Sequence, residues 1–148
     1  MTLAEDLHGI DDCNAALARI LEYFEADGGT IHLLGDDGML ELRAHSKGMP
    51  ESVLELIRSV PPGKGMAGIA FAQNEVVDTC NLQRDAGTGG IRSGAKATGF
   101  GGSIAVPIRD ENDNPCGTLG IATVREREFT AEEQAELVQC GKAIGCGG

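Results

Sequence analysis

Residues 103–124 read SIAVPIRDENDNPCGTLGIATV, two apolar runs joined by ENDNP. Asn, Asp and Pro favour turns, because Asx side chains bond nearby backbone and Pro presets its own φ. The stretch therefore predicts a β-hairpin. Residues 30–46 repeat the pattern as TIHLLG, the turn DDG and MLELRAHS. There Ile31 and Leu33 alternate with Thr30 and His32, and Leu40, Leu42 and Ala44 alternate with Glu41, Arg43 and His45. An Asp-Gly turn between two alternating runs is a strong short-range hairpin signal. Two hairpins commit the chain to antiparallel pairing, since parallel strands need crossovers of a dozen residues or more.

Helices are expected around this sheet. Thr2 and Glu5 form a T-x-x-E capping box, so a helix is predicted over about 3–26, with DGG at 27–29 ending it. Its apolar residues Leu3, Leu7, Ile10, Leu17, Leu21 and Phe24, with Asn14 inserted, follow a heptad seam. A polar residue at one seam position can fix the register of a coiled coil, so self-association and packing on the chain's own sheet are both open readings. PESVLELIRSV predicts a short helix carrying Val53, Leu54, Ile57 and Val60 on one face, stopped by Pro61 and Pro62. GKGMAGIAFAQN reads as a turn into another short helix, and EVVDT as a strand. Thr130 and Glu133 form a second capping box opening a helix over about 130–144. The expected fold class is α+β: a central antiparallel sheet of 5–6 strands within 29–124, with helices on both faces, in a single domain spanning 1–148.

Charge excludes some roles. The chain has 12 basic against 23 acidic residues, a net charge of −11, and no Lys/Arg-rich run. Nucleic-acid binding needs clustered cations against phosphate, so neither nucleic acid nor an anionic membrane is an expected partner. No long apolar run predicts a membrane span. The acidic start MTLAEDLHGIDD lacks the features of a signal peptide. The five cysteines, Cys13, Cys80, Cys116, Cys140 and Cys146, are odd in number with no C-x-x-C. That suits reduced thiols and a cytoplasmic location, with buried apolar roles for Cys13, Cys116 and Cys140. Cys140 and Cys146 lie six apart, about 240° around a helix, and so do not form a metal pair.

GKGMAG at 63–68 matches G-x-G-x-x-G, the dinucleotide fingerprint. That turn must follow a buried strand inside a βαβ unit. Here a helix and two prolines precede it, and Lys64 does not fit the phosphate-loop pattern. The glycines are read as a tight entry into a short helix. Residues 81–102, NLQRDAGTGGIRSGAKATGFGG, are too long and apolar-poor for an ordinary connection, which marks them as a functional or a mobile loop.

This order of segments resembles the GAF domain, a small-molecule sensing module, from about Leu17 to Ile144. TIHLLGDDGMLELRAHSKG is similar to the family's first hairpin. VPPGKGMAGIAFAQNEVVDTCNLQRD is similar to its stretch of proline, glycines, short helix and strand. GSIAVPIRDENDNPCGTLGIAT resembles its central hairpin, and EFTAEEQAEL its closing helix. The resemblance implies a ligand cavity between the sheet and the 81–102 loop. Its expected lining is Met66, Phe71, Asp78, Cys80, Arg84, Asp85, Arg92, Phe100 and Ser103. Backbone N–H groups of the glycine-rich loop would suit an anion or a ligand carbonyl. Cyclic-nucleotide-binding members carry an Asn-Lys pair ahead of the phenylalanine; here Phe129 follows ATVRERE without one. Bilin attachment would need a Cys and His neighbourhood in the long loop, where neither residue occurs.

The implied role is a non-catalytic sensor of a small molecule or anion. It would signal in trans, through a homodimer of terminal helices, to a protein partner, with no cofactor named by the sequence. Two alternatives stand beside it. One is a thiol enzyme like the free methionine-R-sulfoxide reductases of this family, which needs nearby reactive cysteines. Ala67 stands where that branch has a Cys, and GAKATGFGG ahead of the central hairpin has no thiol, leaving Cys80 as the residue to test. The other is a dimerisation scaffold without a ligand.

Overall fold

The hairpin of residues 103–124 forms the centre of a six-stranded antiparallel sheet. The computed structural model describes residues 12–46, 51–78, 102–123 and 129–144. Its elements are α1 (Cys13–Phe24), β1 (Gly28–Leu34), β2 (Leu40–His45), α2 (Glu51–Ile57), β3 (Ser59–Val60), α3 (Gly65–Gln73), β4 (Val77–Asp78), β5 (Gly102–Arg109), β6 (Pro115–Thr123) and α4 (Ala131–Ile144). The strands lie in the order β3-β2-β1-β6-β5-β4, every neighbouring pair antiparallel. The expected α+β class, with helices on both faces of an antiparallel sheet, is what the chain adopts.

Turn chemistry fixes both hairpins. Asp37 accepts from the Met39 N–H at 3.0 Å, and Gly38 sits at φ +81°. Asp110 accepts from the N–H groups of Asn112 and Asn114 at 2.8 and 3.0 Å. These are the Asx bonds that make such residues turn formers.

One face of the sheet is closed by α1 and α4. Ile31, Leu33, Ile104, Val106, Ile108, Leu119 and Ile121 point into a single apolar cluster with Leu17, Ile20 and Phe24 of α1 and Leu137 and Cys140 of α4. Helix α1 starts at Asp12, whose carboxylate accepts from the Asn14 N–H at 3.1 Å. It ends on Glu25 in the left-handed region (φ 53°), three residues before the first of the glycines expected to stop it. Those glycines serve the strand instead. A Cβ on Gly29 would lie 2.7 Å from the Gly120 carbonyl oxygen and 3.0 Å from Leu21 Cδ2, so the helix reaches the sheet only because none is there. The Thr2–Glu5 box and Leu3, Leu7 and Ile10 lie outside the described residues. The Thr130–Glu133 box forms: Thr130 N–H donates to the Glu133 carboxylate at 3.0 Å, and Glu133 N–H donates to the Thr130 hydroxyl at 3.1 Å.

The other face carries α3 over β5 and β6, with a small cluster of Ala70, Val77 and Ala105 and with Met66 and Ile69 packed against it. Two elements differ from the sequence expectation. Ser59–Val60 is a strand, paired through Leu40↔Val60, rather than the end of a helix. A residue preceding proline is pushed to extended geometry, and Val60 precedes Pro61. In β2, Ile31 pairs with Ala44 but His32 with Leu42, leaving Arg43 as a bulge. The bulge turns Leu40 and Leu42 to the α3 face while Ala44 packs in the α1–α4 cluster, so their strict alternation in sequence does not put all three on one face.

Candidate functional site

Strand pairing places side chains on the α3 face one by one. Ala105 of β5 packs in the small cluster under α3, so by period-two alternation Ser103, Pro107 and Arg109 share its face. The cross-strand partners of Ser103, Ala105 and Pro107 are Ala122, Gly120 and Thr118 of β6. Those of Gly120 and Thr118 are Thr30 and His32 of β1. Ser103, Thr118, Thr30 and His32 thus share the face on which Met66 of α3 packs. Among the described residues its apolar cluster is much smaller than that of the opposite face.

His32 is the most constrained of these side chains. It is 2 % exposed, and its Nε2 lies 2.8 Å from the carbonyl oxygen of Ile57, at the end of α2. A carbonyl only accepts, so Nε2 carries the proton and Nδ1 is left as an acceptor. Burial pushes the His32 pKa below the ordinary histidine value, and the bond to Ile57 pulls partly the other way. A histidine kept neutral by the fold favours the folded state above its unfolded pKa of about 6.5, and that stability is lost as pH falls through the lower folded value. The unfolding free energy is therefore expected to fall from pH 6.5 downward by up to about 1.4 kcal/mol per pH unit, and the melting temperature with it. His32→Gln removes the titrating group. The same slope in that variant, followed by calorimetry between pH 6.5 and 5.5, would show that His32 is not its source.

The expected lining residues separate. Met66 and Ser103 lie on the α3 face, and Phe71 of α3 is half-buried outside the small cluster. Asp78 does not face this cavity side. It pairs with Ile104, which points into the α1–α4 cluster, and the Asp78 carboxylate lies 3.5 Å from Gln134 Nε2 of α4. The two-residue strand sets its direction: Val77 goes to the small cluster and Asp78 to the other face. Cys80, Arg84, Asp85, Arg92 and Phe100 lie outside the described residues. His32 and Thr118 are the polar residues that the sequence reading missed. Alternation puts His32 on the polar side of β1, a side that the structure makes interior, with the Ile57 carbonyl against the ring.

Asn74 and Arg109 anchor α3 over the face. Asn74 ends the helix in the left-handed region at φ 55°. Arg109 donates through Nε to the Asn74 side-chain oxygen and through a terminal nitrogen to the Asn74 carbonyl, each at 2.8 Å. Asn74 Nδ2 in turn donates to the Asp113 carbonyl at 3.2 Å. A guanidinium on a helix C-terminus satisfies a terminal carbonyl and complements the dipole.

The described thiols lie elsewhere. Cys13, Cys116 and Cys140 all pack in or against the α1–α4 cluster. Burial, and then the charge of Glu136, push the Cys140 thiol up to about 12, which makes it a poor nucleophile. Cys116 corrects the expectation of reduced thiols throughout. It is disulfide-bonded, whereas Cys13 and Cys140 are free. The absence of a C-x-x-C spacing rules out a local pair, not one that the fold closes. Thiol titration of the denatured, unreduced protein should count fewer than the five cysteines of the chain, rising to five after reduction. A count of five without reduction would refute the bond.

Among the described residues no cluster of three His, Cys, Asp or Glu could hold a metal ion, and no helix is long and apolar enough to cross a membrane.

The sheet order and the paired helix layers now meet a direct sequence match. The GAF domain profile covers residues 12–145. The chain belongs to the GAF domain family. No curated protein sequence matches it significantly. Solved structures share the fold. The GAF domain of an Acinetobacter phosphoenolpyruvate-protein phosphotransferase is 17% identical with a TM-score of 0.69, over 97% of this chain and 80% of that one. A domain of a two-component sensor histidine kinase protein from Sinorhizobium meliloti is 16% identical with a TM-score of 0.70, over 88% and 83%. The free methionine-R-sulfoxide reductase of Neisseria meningitidis, solved with its substrate, is 18% identical with a TM-score of 0.73, over 96% and 81%. The GAF fold thus serves both signalling proteins and enzymes among these neighbours.

Proposed function

We propose that this GAF domain binds a small molecule on the α3 face of its sheet and acts as a sensor, without chemistry of its own. The observation that carries the reading is the contrast between its faces. The α1–α4 side is an apolar core, whereas the α3 side combines a small apolar cluster with His32, Thr118 and Thr30. Ligand sites are mostly apolar surfaces with a few converging polar groups. Met66 and Ser103 are proposed as lining. Cys80, just ahead of the long loop, and Arg84, Asp85, Arg92 and Phe100 within it remain proposed contributors, and Phe71 a contributor from α3.

Binding would be relayed through the sheet to α1 and α4, which are joined by the hydrogen bond from Tyr23 to Glu136 at 3.1 Å. Any homodimer in this scheme uses the outward surface of these helices, because Leu17 and Phe24 are already buried within the chain. Native mass spectrometry of freshly purified protein tests ligand and stoichiometry together. A bound small molecule supports the sensor. A ligand-free protein that screening never stabilises removes it, and turnover of free methionine sulfoxide with a thiol reductant would replace it with the enzyme reading.

A further inference from the structure

His32 and Thr118 sit directly opposite each other on β1 and β6. Both are essentially buried, at 2 % and 1 % exposure. His32 Nδ1 and the Thr118 hydroxyl are buried polar atoms with no hydrogen-bond partner among the described residues. An unpaired buried polar atom is costly, and the great majority in native proteins are satisfied. Two such atoms side by side on one face call for a common partner. Direct cross-strand neighbours have their Cβ atoms about 4.5–5.5 Å apart, so one small group can reach both.

The chemistry of that group follows from the pair. His32 Nδ1 is an acceptor, because Nε2 holds the proton against the Ile57 carbonyl. It needs a donor. The Thr118 hydroxyl can give its proton to an acceptor. The complementary ligand edge therefore carries an N–H next to a C=O on the same side, which is the edge of a cis amide. A carboxylate has no proton for Nδ1, and an ammonium has no acceptor for Thr118.

On the His32 side the described cover is slight: α2 supplies the Ile57 carbonyl, yet none of its described side chains is buried, and Leu56 is 64 % exposed. The first turn of α2 can move aside with the Ile57 carbonyl left in place and the α1–α4 core intact.

We propose that His32 and Thr118 form a two-point site for a neutral ligand bearing a cis-amide edge, such as a lactam, taken up with the Ile57 carbonyl still held on His32 Nε2. The inference rests on the ligand-binding role proposed above and names the edge that is recognised.

The test uses δ-valerolactam as the cis-amide probe and N-methylacetamide, whose amide is trans, as the control. Both are titrated into the full chain while the nitrogen resonances of His32 are followed. The lactam is expected to shift Nδ1 saturably, and the trans amide to bind at least tenfold more weakly. Thr118→Val keeps the shape and removes the hydroxyl. It is expected to weaken lactam binding about tenfold while raising the melting temperature, because an unpaired buried hydroxyl is gone. Equal binding of the two amides, an unshifted Nδ1, or unchanged lactam binding by Thr118→Val overturns the site. If native mass spectrometry finds a small molecule while the lactam leaves Nδ1 unmoved, the binding role stands and the edge assignment alone falls.

Discussion

Phe24→Ala is expected to destabilise the protein by about 3–5 kcal/mol, the range for emptying a large aromatic site in a packed core. For a chain of this size that corresponds to a fall in melting temperature of roughly 6–20 °C. Phe24 is 4 % exposed in the cluster that joins α1 to the sheet, and its ring meets Tyr23 edge-on, with centroids 5.1 Å apart. The heptad spacing around Phe24 gives the mutation a second meaning. If that face were a seam between two chains, the alanine would weaken association and leave a monomer of ordinary stability. Because Leu17, Ile20 and Phe24 are buried within one chain, the loss should instead be independent of protein concentration. Chemical denaturation at two concentrations a hundredfold apart separates the cases. A midpoint that moves with concentration, together with an unaltered monomer, would return Phe24 to an interface.

The seam shows where sequence reading stops. Heptad spacing records which residues of a helix are apolar together, and a sheet accepts such a stripe as readily as a second helix does. The hairpins were legible because their turns are local: Asp37, Gly38 and Asp110 act on backbone within four residues of themselves. The α4 capping box was legible for the same reason. The bulge at Arg43 and the direction of Asp78 were not, since both depend on which residue of a distant strand lies opposite. His32 illustrates the limit for the site. A histidine alternating with Ile31 and Leu33 reads as a solvent-facing position, yet it is buried and meets the Ile57 carbonyl, 25 residues later.

Gly68→Ala is the second large effect, and general helix propensity gives it the opposite sign. Gly68 lies inside α3, where alanine is ordinarily better than glycine by about 1 kcal/mol. Here a Cβ would stand 2.5 Å from the Pro61 carbonyl oxygen and 3.1 Å from the Gly63 nitrogen. Both are backbone atoms, so relief requires α3 to move away from the β3–Pro61 segment. Overpacking of this kind costs about 1–3 kcal/mol, and the bulkier Gly68→Val should exceed the alanine variant. Gly63→Ala gives a useful contrast. Gly63 has φ +88° but nothing within 4 Å of an added Cβ, so its cost comes from backbone conformation alone. The expected order of stability is wild type, Gly63→Ala, Gly68→Ala, Gly68→Val, read as urea midpoints. A Gly68→Ala protein more stable than wild type would mean that α3 does not pack this closely. The same contacts answer the nucleotide reading of GKGMAG. The Gly63 N–H already donates to the Gly68 carbonyl at 2.8 Å, and the Lys64 N–H donates to the Pro61 carbonyl at 3.2 Å. A phosphate would have to displace both, so these glycines bring a helix down onto a sheet and leave little backbone free to cradle an anion.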